Sequence, residues 1–227
     1  MVEITYYGHA CFGLLIGGKN ILFDPFITDN PLASSIKISE IPCDYLLVSH
    51  GHGDHIGDVE FVAKKQHSTL ISCFEITQYF ENKGLSLFHP MNIGGAKDFE
   101  FGSLKMVKAV HSSSFPDGTY AGEAAGFVIK NERVSCYYAG DTALTLDMSL
   151  IGKQFSLDFA FLPIGDNFTM GVQDAVQAAL LLNCKTVVGM HYNTFGYIEI
   201  NKEEAVKAFA NEGISLLLPS IGEKIIL

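Results

Sequence analysis

Residues 49 to 55 read Ser-His-Gly-His-Gly-Asp-His and follow directly on the apolar run DYLLV, Asp44 to Val48. Three imidazoles and one carboxylate thus fall within six residues, separated only by glycines. A short apolar run of this kind predicts a buried strand, and an extended strand end turns residues i and i+2 the same way, so His50 and His52 can converge on one point. Asp54 and His55 are neighbours and reach a second point only if the chain turns, a freedom that Gly51 and Gly53 provide. Four potential ligands then gather at the C-terminal end of a buried strand, where open α/β sheets place their ligands. Surface imidazoles in a glycine-rich loop are the plain alternative. However, clusters of His and Asp at this spacing are metal ligands by habit, and a strand end is a costly place to put them without a use.

The rest of the chain supplies a scaffold for such a site. VEITYY, CFGLLI and NILFD, separated by Gly-containing turns, predict an antiparallel meander. DYLLVSH and TLISC flank the amphipathic DVEFVAKKQ in a β-α-β pattern. A second strand-rich stretch runs through LKMVKAV, AAGFVIK, VSCYYAG and LDFAFLPIG. VQDAVQAALLLN then reads as helix, TVVGMH as a buried strand, NKEEAVKAFANEG as a helix capped by Asn201 and stopped by Gly213, and ISLLLPS as the last strand. No linker or low-complexity tract interrupts this order, which predicts one layered α/β domain over residues 1–227.

Charge and cysteine usage narrow the partners. Fifteen Lys and Arg stand against 25 Asp and Glu, a formal charge of −10, so a phosphate-tracking surface for nucleic acid is not expected. Five widely spaced cysteines without a C-x-x-C pair predict buried thiols in a reducing, cytoplasmic compartment. The opening MVEITYYGHACFGLLIGG lacks a basic start and is broken by Gly8, His9 and Gly13, so neither a signal peptide nor a membrane span is expected. The expected partner is a small-molecule substrate, with room left for a homo-oligomer.

Further ligand-type residues close other β-rich runs: His111 after LKMVKAV, Asp141 after VSCYYAG, and His191 after TVVGM. SHGHGDH resembles the H-x-H-x-D-H signature of the metallo-β-lactamase superfamily, and His111, AGDT (Ala139 to Thr142) and His191 match its later motifs in order. ITYYGHACF, DPFITDNP, PIGDNFTMG and HYNTF are similar to the branch of small metal-dependent hydrolases related to ascorbate 6-phosphate lactonase. The resemblance implies a four-layer αββα sandwich with its site where the loops of two sheets meet. It also implies one metal on His50, His52 and His111, a second on Asp54, His55 and His191, and Asp141 between them.

Two divalent ions so held would make a bridging hydroxide near neutral pH and polarise the bond under attack. The expected reaction is hydrolysis of a small ester, lactone, phosphodiester or amide, with Asp54 as both ligand and catalytic residue. The histidine-rich set favours zinc, with manganese, iron or nickel as alternatives. An iron-dependent redox enzyme or dioxygenase is the other functional class, but it would want a partner domain or fewer ligands. Four residues are candidates for substrate binding or for supporting the ligands. His9 matches the Gly-His opening, Asp24 follows an apolar strand before Pro25, and Asp166 and Asn167 occupy, beside Phe168 and Met170, the loop PIGDNFTMG at a strand end, a usual place for substrate contacts. His67 and His89 are read as surface residues without a role.

Overall fold

The computed structural model describes residues 2–227. Its first three apolar runs are β1 (Glu3–Gly8), β2 (Cys11–Ile16) and β3 (Lys19–Phe23), paired antiparallel as the glycine turns predict. The chain then changes to parallel crossovers: β4 (Tyr45–Leu47), the single turn α1 (Gly53–Ile56), α2 (Val59–Gln66), β5 (Thr69–Cys73), α3 (Phe74–Asn82) and β6 (Phe88–Met91). The second half repeats this plan. β7 (Ala96–Phe99), β8 (Gly102–Lys108), β9 (Ala125–Lys130) and β10 (Ser135–Tyr138) are antiparallel. Then α4 (Asp147–Gln154), β11 (Phe159–Pro163), α5 (Val172–Leu181), β12 (Thr186–Met190), α6 (Lys202–Asn211) and β13 (Ser215–Leu217) extend the sheet in parallel. Finally β14 (Lys224–Ile226) crosses back to pair with β1.

Two seven-stranded sheets result, ordered β14-β1-β2-β3-β4-β5-β6 and β13-β12-β11-β10-β9-β8-β7. Strand alternation sorts the side chains between layers. Phe12, Leu14, Ile21, Phe23, Leu47 and Ile71 enter the core shared by the sheets, while Cys11, Leu22, Leu46 and Leu70 face Val59, Val62, Ile76 and Phe80 of α2 and α3. On the other side Met148, Ile151, Val176, Ala179 and Phe209 of α4 to α6 cover the second sheet. The architecture is the four-layer αββα sandwich. Between the sheets Phe23 stacks on Tyr138 at 4.3 Å and Phe12 lies 4.8 Å from Phe161.

Five elements depart from the sequence reading, each for a physical reason. α3 follows β5 with no turn residue between them, and β6 carries Pro90, tolerated because β6 is a sheet edge. β7 is a largely exposed edge, so no apolar alternation marks it. α4 is only eight residues long, and the last strand is the three-residue β14 rather than the run at Ile214, which forms β13. Asn201 and Gly213 act as read: the Asn201 side chain accepts from the Glu204 N–H at 3.1 Å, and Gly213 ends α6 at φ +68°.

What matters for the site is direction. β1, β3, β4, β8, β10, β11 and β12 bring their C-terminal ends to one rim of the sandwich, and His9, Asp24, His50, His111, Asp141, Asp166 and His191 follow those ends.

Candidate metal centre

Beyond β4 the backbone stays extended through His52, so His50 and His52 turn the same way, with His50 Nε2 and His52 Nδ1 2.9 Å apart. The turn expected of the glycines is one turn of helix, α1, which carries Asp54 and His55. The second sheet contributes from the opposite side. Asp141 Oδ2 lies 2.9 Å from His191 Nε2, 3.4 Å from His55 Nε2, 3.6 Å from His111 Nε2 and 4.0 Å from His50 Nε2. Two groups of donor atoms emerge, each within 4.8 Å of one another: His50, His52 and His111, and His9, Asp54, His55 and His191; a third, Asp24 with His50 and His55, shares one histidine with each. Gly140, at φ +62°, makes the turn that delivers Asp141; a Cβ there would lie 2.7 Å from the Ala125 carbonyl oxygen and 2.8 Å from Ser49 Cβ.

Asp24 organises both groups from behind. It is fully buried, and its Oδ2 accepts from Ser49 Oγ at 2.6 Å, Tyr138 Oη at 2.8 Å and His55 Nδ1 at 2.8 Å, while Oδ1 accepts from the Ser49 N–H at 2.7 Å. With Asp24 Oδ2 as the acceptor, His55 Nδ1 carries a proton and Nε2 faces the cluster. Ser49 Oγ donates to Asp24, so His50 Nδ1 donates to Ser49 at 2.9 Å and His50 Nε2 is left with its lone pair. His9 has a parallel duty. Its Nε2 donates to Asp54 Oδ2 at 3.0 Å while Nδ1 accepts from Thr194 Oγ1 at 2.9 Å.

The electrostatics suit a cation. Burial pushes His50 well below its ordinary value, lowers His52 and His111, and together with the neighbouring His191 brings His9 down to about 4. These rings are therefore neutral, and those of His50, His52 and His111 are able to ligate. Burial alone would raise Asp54 and Asp141, yet His55 and His9 hold the Asp54 carboxyl well below the usual range, as His191 and His55 do for Asp141. His55 is raised against its burial by Asp141, Asp54 and Asp24, which together call for positive charge at this point. Buried side-chain atoms without a hydrogen-bond partner include His55 Nε2, His191 Nδ1 and Asp141 Oδ1. Leaving such atoms unpaired costs about 1–3 kcal/mol each, a cost that coordination of a divalent ion would offset at His55 Nε2, whereas His191 turns its other nitrogen, Nε2, to the cluster.

Above the cluster Ser112, Phe168 and Phe195 complete the lining of a cavity of about 280 Å³. A larger one of about 520 Å³ lies at the far end of the sandwich, where Arg133 and the β2–β3 turn meet, away from every metal-binding group. The candidate loop residues divide at this point. Phe168 reaches the cavity, whereas Asp166 and Asn167, at φ +62° and +56°, form the exposed turn that presents it, and Asp166 lines a separate groove beside α5. His67 is an exposed residue ending α2, and His89 lies in β6 against Phe99.

A sequence model described as the beta-lactamase superfamily domain matches residues 3–191. The chain belongs to the metallo-β-lactamase superfamily. Within it, the chain is 52% identical to a UPF0173 metal-dependent hydrolase of Flavobacterium johnsoniae, covering 99% of both chains, and 50% identical to one of Methylacidiphilum infernorum, covering all of both. The fold superimposes on Igni18, a metallo hydrolase from the archaeon Ignicoccus hospitalis, with a TM-score of 0.89 and 32% identity over 99% of this chain and 97% of that one. The protein is thus a metal-dependent hydrolase of this superfamily. Sequence reasoning assigned nothing to Ser49, Tyr138, Thr194 or Phe195. Ser49 adjoins the histidine motif and could have been suspected; Tyr138 reaches Asp24 from the opposite sheet, and no local pattern announces that contact.

Proposed function

We propose that His50, His52 and His111 hold one divalent ion, that Asp54, His55 and His191 hold a second, and that Asp141 contacts both. The position of Asp141 Oδ2, within 4.0 Å of an imidazole nitrogen from each set, is the observation that carries this reading. When bound, such a pair would lower the pKa of a shared water toward about 7 and polarise the bond under attack, hydrolysing a small ester, lactone, phosphodiester or amide. Zinc fits the imidazole-rich set, with manganese, iron or nickel as alternatives. His55 and His9 hold the Asp54 carboxyl ionised, so it would accept a hydrogen bond from the attacking water and orient it. A carboxyl held so low is a poor proton store, which makes orientation its main task. His9, donating to Asp54 Oδ2, keeps that carboxylate turned inward.

Protein purified without chelator and assayed for metal content should carry up to two ions per chain. Asp141→Ala should lose both and His191→Ala one; equal loss from the two folded variants would remove the shared role of Asp141. Asp54→Asn should keep the fold and lose activity by orders of magnitude in a hydrolysis screen run under argon with zinc or manganese added. No turnover there, combined with oxygen uptake by the iron form, would replace hydrolysis by redox chemistry.

A further inference from the structure

Two phenyl rings stand at the mouth of the cavity, Phe168 at 52% and Phe195 at 36% exposure. Both are held by stiff loops. Asp166 and Asn167 before Phe168, and His191 and Asn193 before Phe195, are in the left-handed region, a turn conformation that Asn and Asp adopt at low cost and that neighbouring contacts can fix. Such contacts are present: Asp166 N–H donates to the Met170 carbonyl at 3.0 Å and Met170 N–H to that of Thr142 at 3.0 Å. On the other loop Asn193 Oδ1 accepts from Ile200 N–H at 2.7 Å. Phe195 rests one edge on His9 at 5.3 Å, and Phe168 touches Tyr197 at 6.1 Å. Phe195 also lies 6.3 Å from Phe26, and both rings line the cavity and are partly exposed to water.

Among the described residues, no Lys or Arg lines this cavity. The single arginine of the chain, Arg133, is on the β9–β10 turn at the opposite end of the sandwich. A phosphorylated or carboxylated substrate would therefore find no guanidinium or ammonium to pair with its remote charge, the usual means of holding such groups. A sugar phosphate, the type of substrate acted on by the lactonase that the sequence resembles, does not suit these walls.

We propose that the substrate carries an uncharged aryl or alkyl substituent that sits between Phe168 and Phe195 while its hydrolysable group faces the imidazole and carboxylate cluster. This rests on the metallohydrolase reading above and names the substrate class for it. Burial of the substituent against two pre-positioned rings supplies affinity remote from the reacting bond, the part of binding that orients a substrate for attack.

The test reads binding rather than turnover. Zinc-loaded protein of measured metal content is titrated calorimetrically with acetohydroxamate, phenylacetohydroxamate and phosphonoacetohydroxamate, which share one metal-binding head and differ in the tail. The phenyl tail should bind about tenfold more tightly than the methyl tail, and the phosphonate no more tightly than the methyl. Phe168→Ala and Phe195→Ala should each reduce the phenyl advantage while leaving acetohydroxamate affinity and metal content unchanged, and Phe195→Leu should retain most of it. A phosphonate tail that binds best, a phenyl advantage that survives both alanine variants, or equal binding of phenyl and methyl tails overturns the inference and leaves the metallohydrolase reading standing. A folded protein that takes up none of zinc, manganese, iron or nickel overturns that reading and the inference with it.

Discussion

His9 illustrates what a single buried ring does to the pH response of the whole protein. Its ring sits between Asp54 and Thr194, and burial with the neighbouring His191 brings it down to about 4, against an unfolded value near 6.5. Above 6.5 it is neutral in both states. Between 6.5 and 4 the unfolded chain takes up a proton that the folded protein refuses, so stability falls with acidification, by up to about 1.4 kcal/mol per pH unit for each such group. His50, His52 and His111, also lowered by burial, act in the same direction. His55 is raised and acts oppositely: its contribution is complete below 6.5 and is lost only as pH climbs through its folded value. Asp54 and Asp141, both lowered, keep their contributions across this window and lose them only in stronger acid. Chelator-treated protein should therefore lose stability in urea titrations between pH 6.5 and 4. In His9→Gln that slope should be shallower by close to one proton, and an unchanged slope would show that His9 is not held neutral.

Among the elements, the turns at strand ends carry more of the site than the strands do. Gly140 links β10 to Asp141 in a left-handed conformation against the Ala125 carbonyl and Ser49. An alanine there meets both the wrong backbone region and two close neighbours, which together cost about 2–4 kcal/mol. Gly140→Ala should lower the urea midpoint accordingly and weaken metal binding, because relaxing the clash moves Asp141 and Ser49, the latter being the link between Asp24 and His50. Gly18, whose Cβ would meet nothing within 4 Å on the β2–β3 turn far from the site, is the control: Gly18→Ala should show a smaller stability loss and unchanged metal content. Helix α1 is a similar device in miniature. Its one turn places Asp54 and His55 on the second group of donors while His50 and His52, in extended chain before it, serve the first.

Over the whole molecule, the candidate ligands join two sheets that are otherwise held by apolar packing. His50, His52, Asp54 and His55 extend from the first sheet, and His111, Asp141 and His191 from the second. An ion bound here prefers the folded state, stabilising it by about 2.7 kcal/mol at a free concentration one hundred times its dissociation constant. For a chain of this size, removal by chelator should lower the melting temperature by about 5–10 °C per ion, restored on adding zinc or manganese. A melting curve indifferent to chelation, in protein shown to contain metal beforehand, would place the ions outside this junction. Much of this arrangement is written locally. Alternating apolar runs set the strands, Asn201 and Gly213 bound α6, and the histidine spacing after DYLLV determines that His50 and His52 converge, because periodicity and backbone freedom act over a few residues. The tertiary structure alone decided that Tyr138 supports Asp24 across the sheets, that His9 holds Asp54, and that Phe168 and Phe195, 27 positions apart in sequence, face one cavity. It also decided that the chain's last strand returns to β1. Such pairings are made by the packing of distant segments, whose energy belongs to the closed sandwich and to no stretch of sequence by itself.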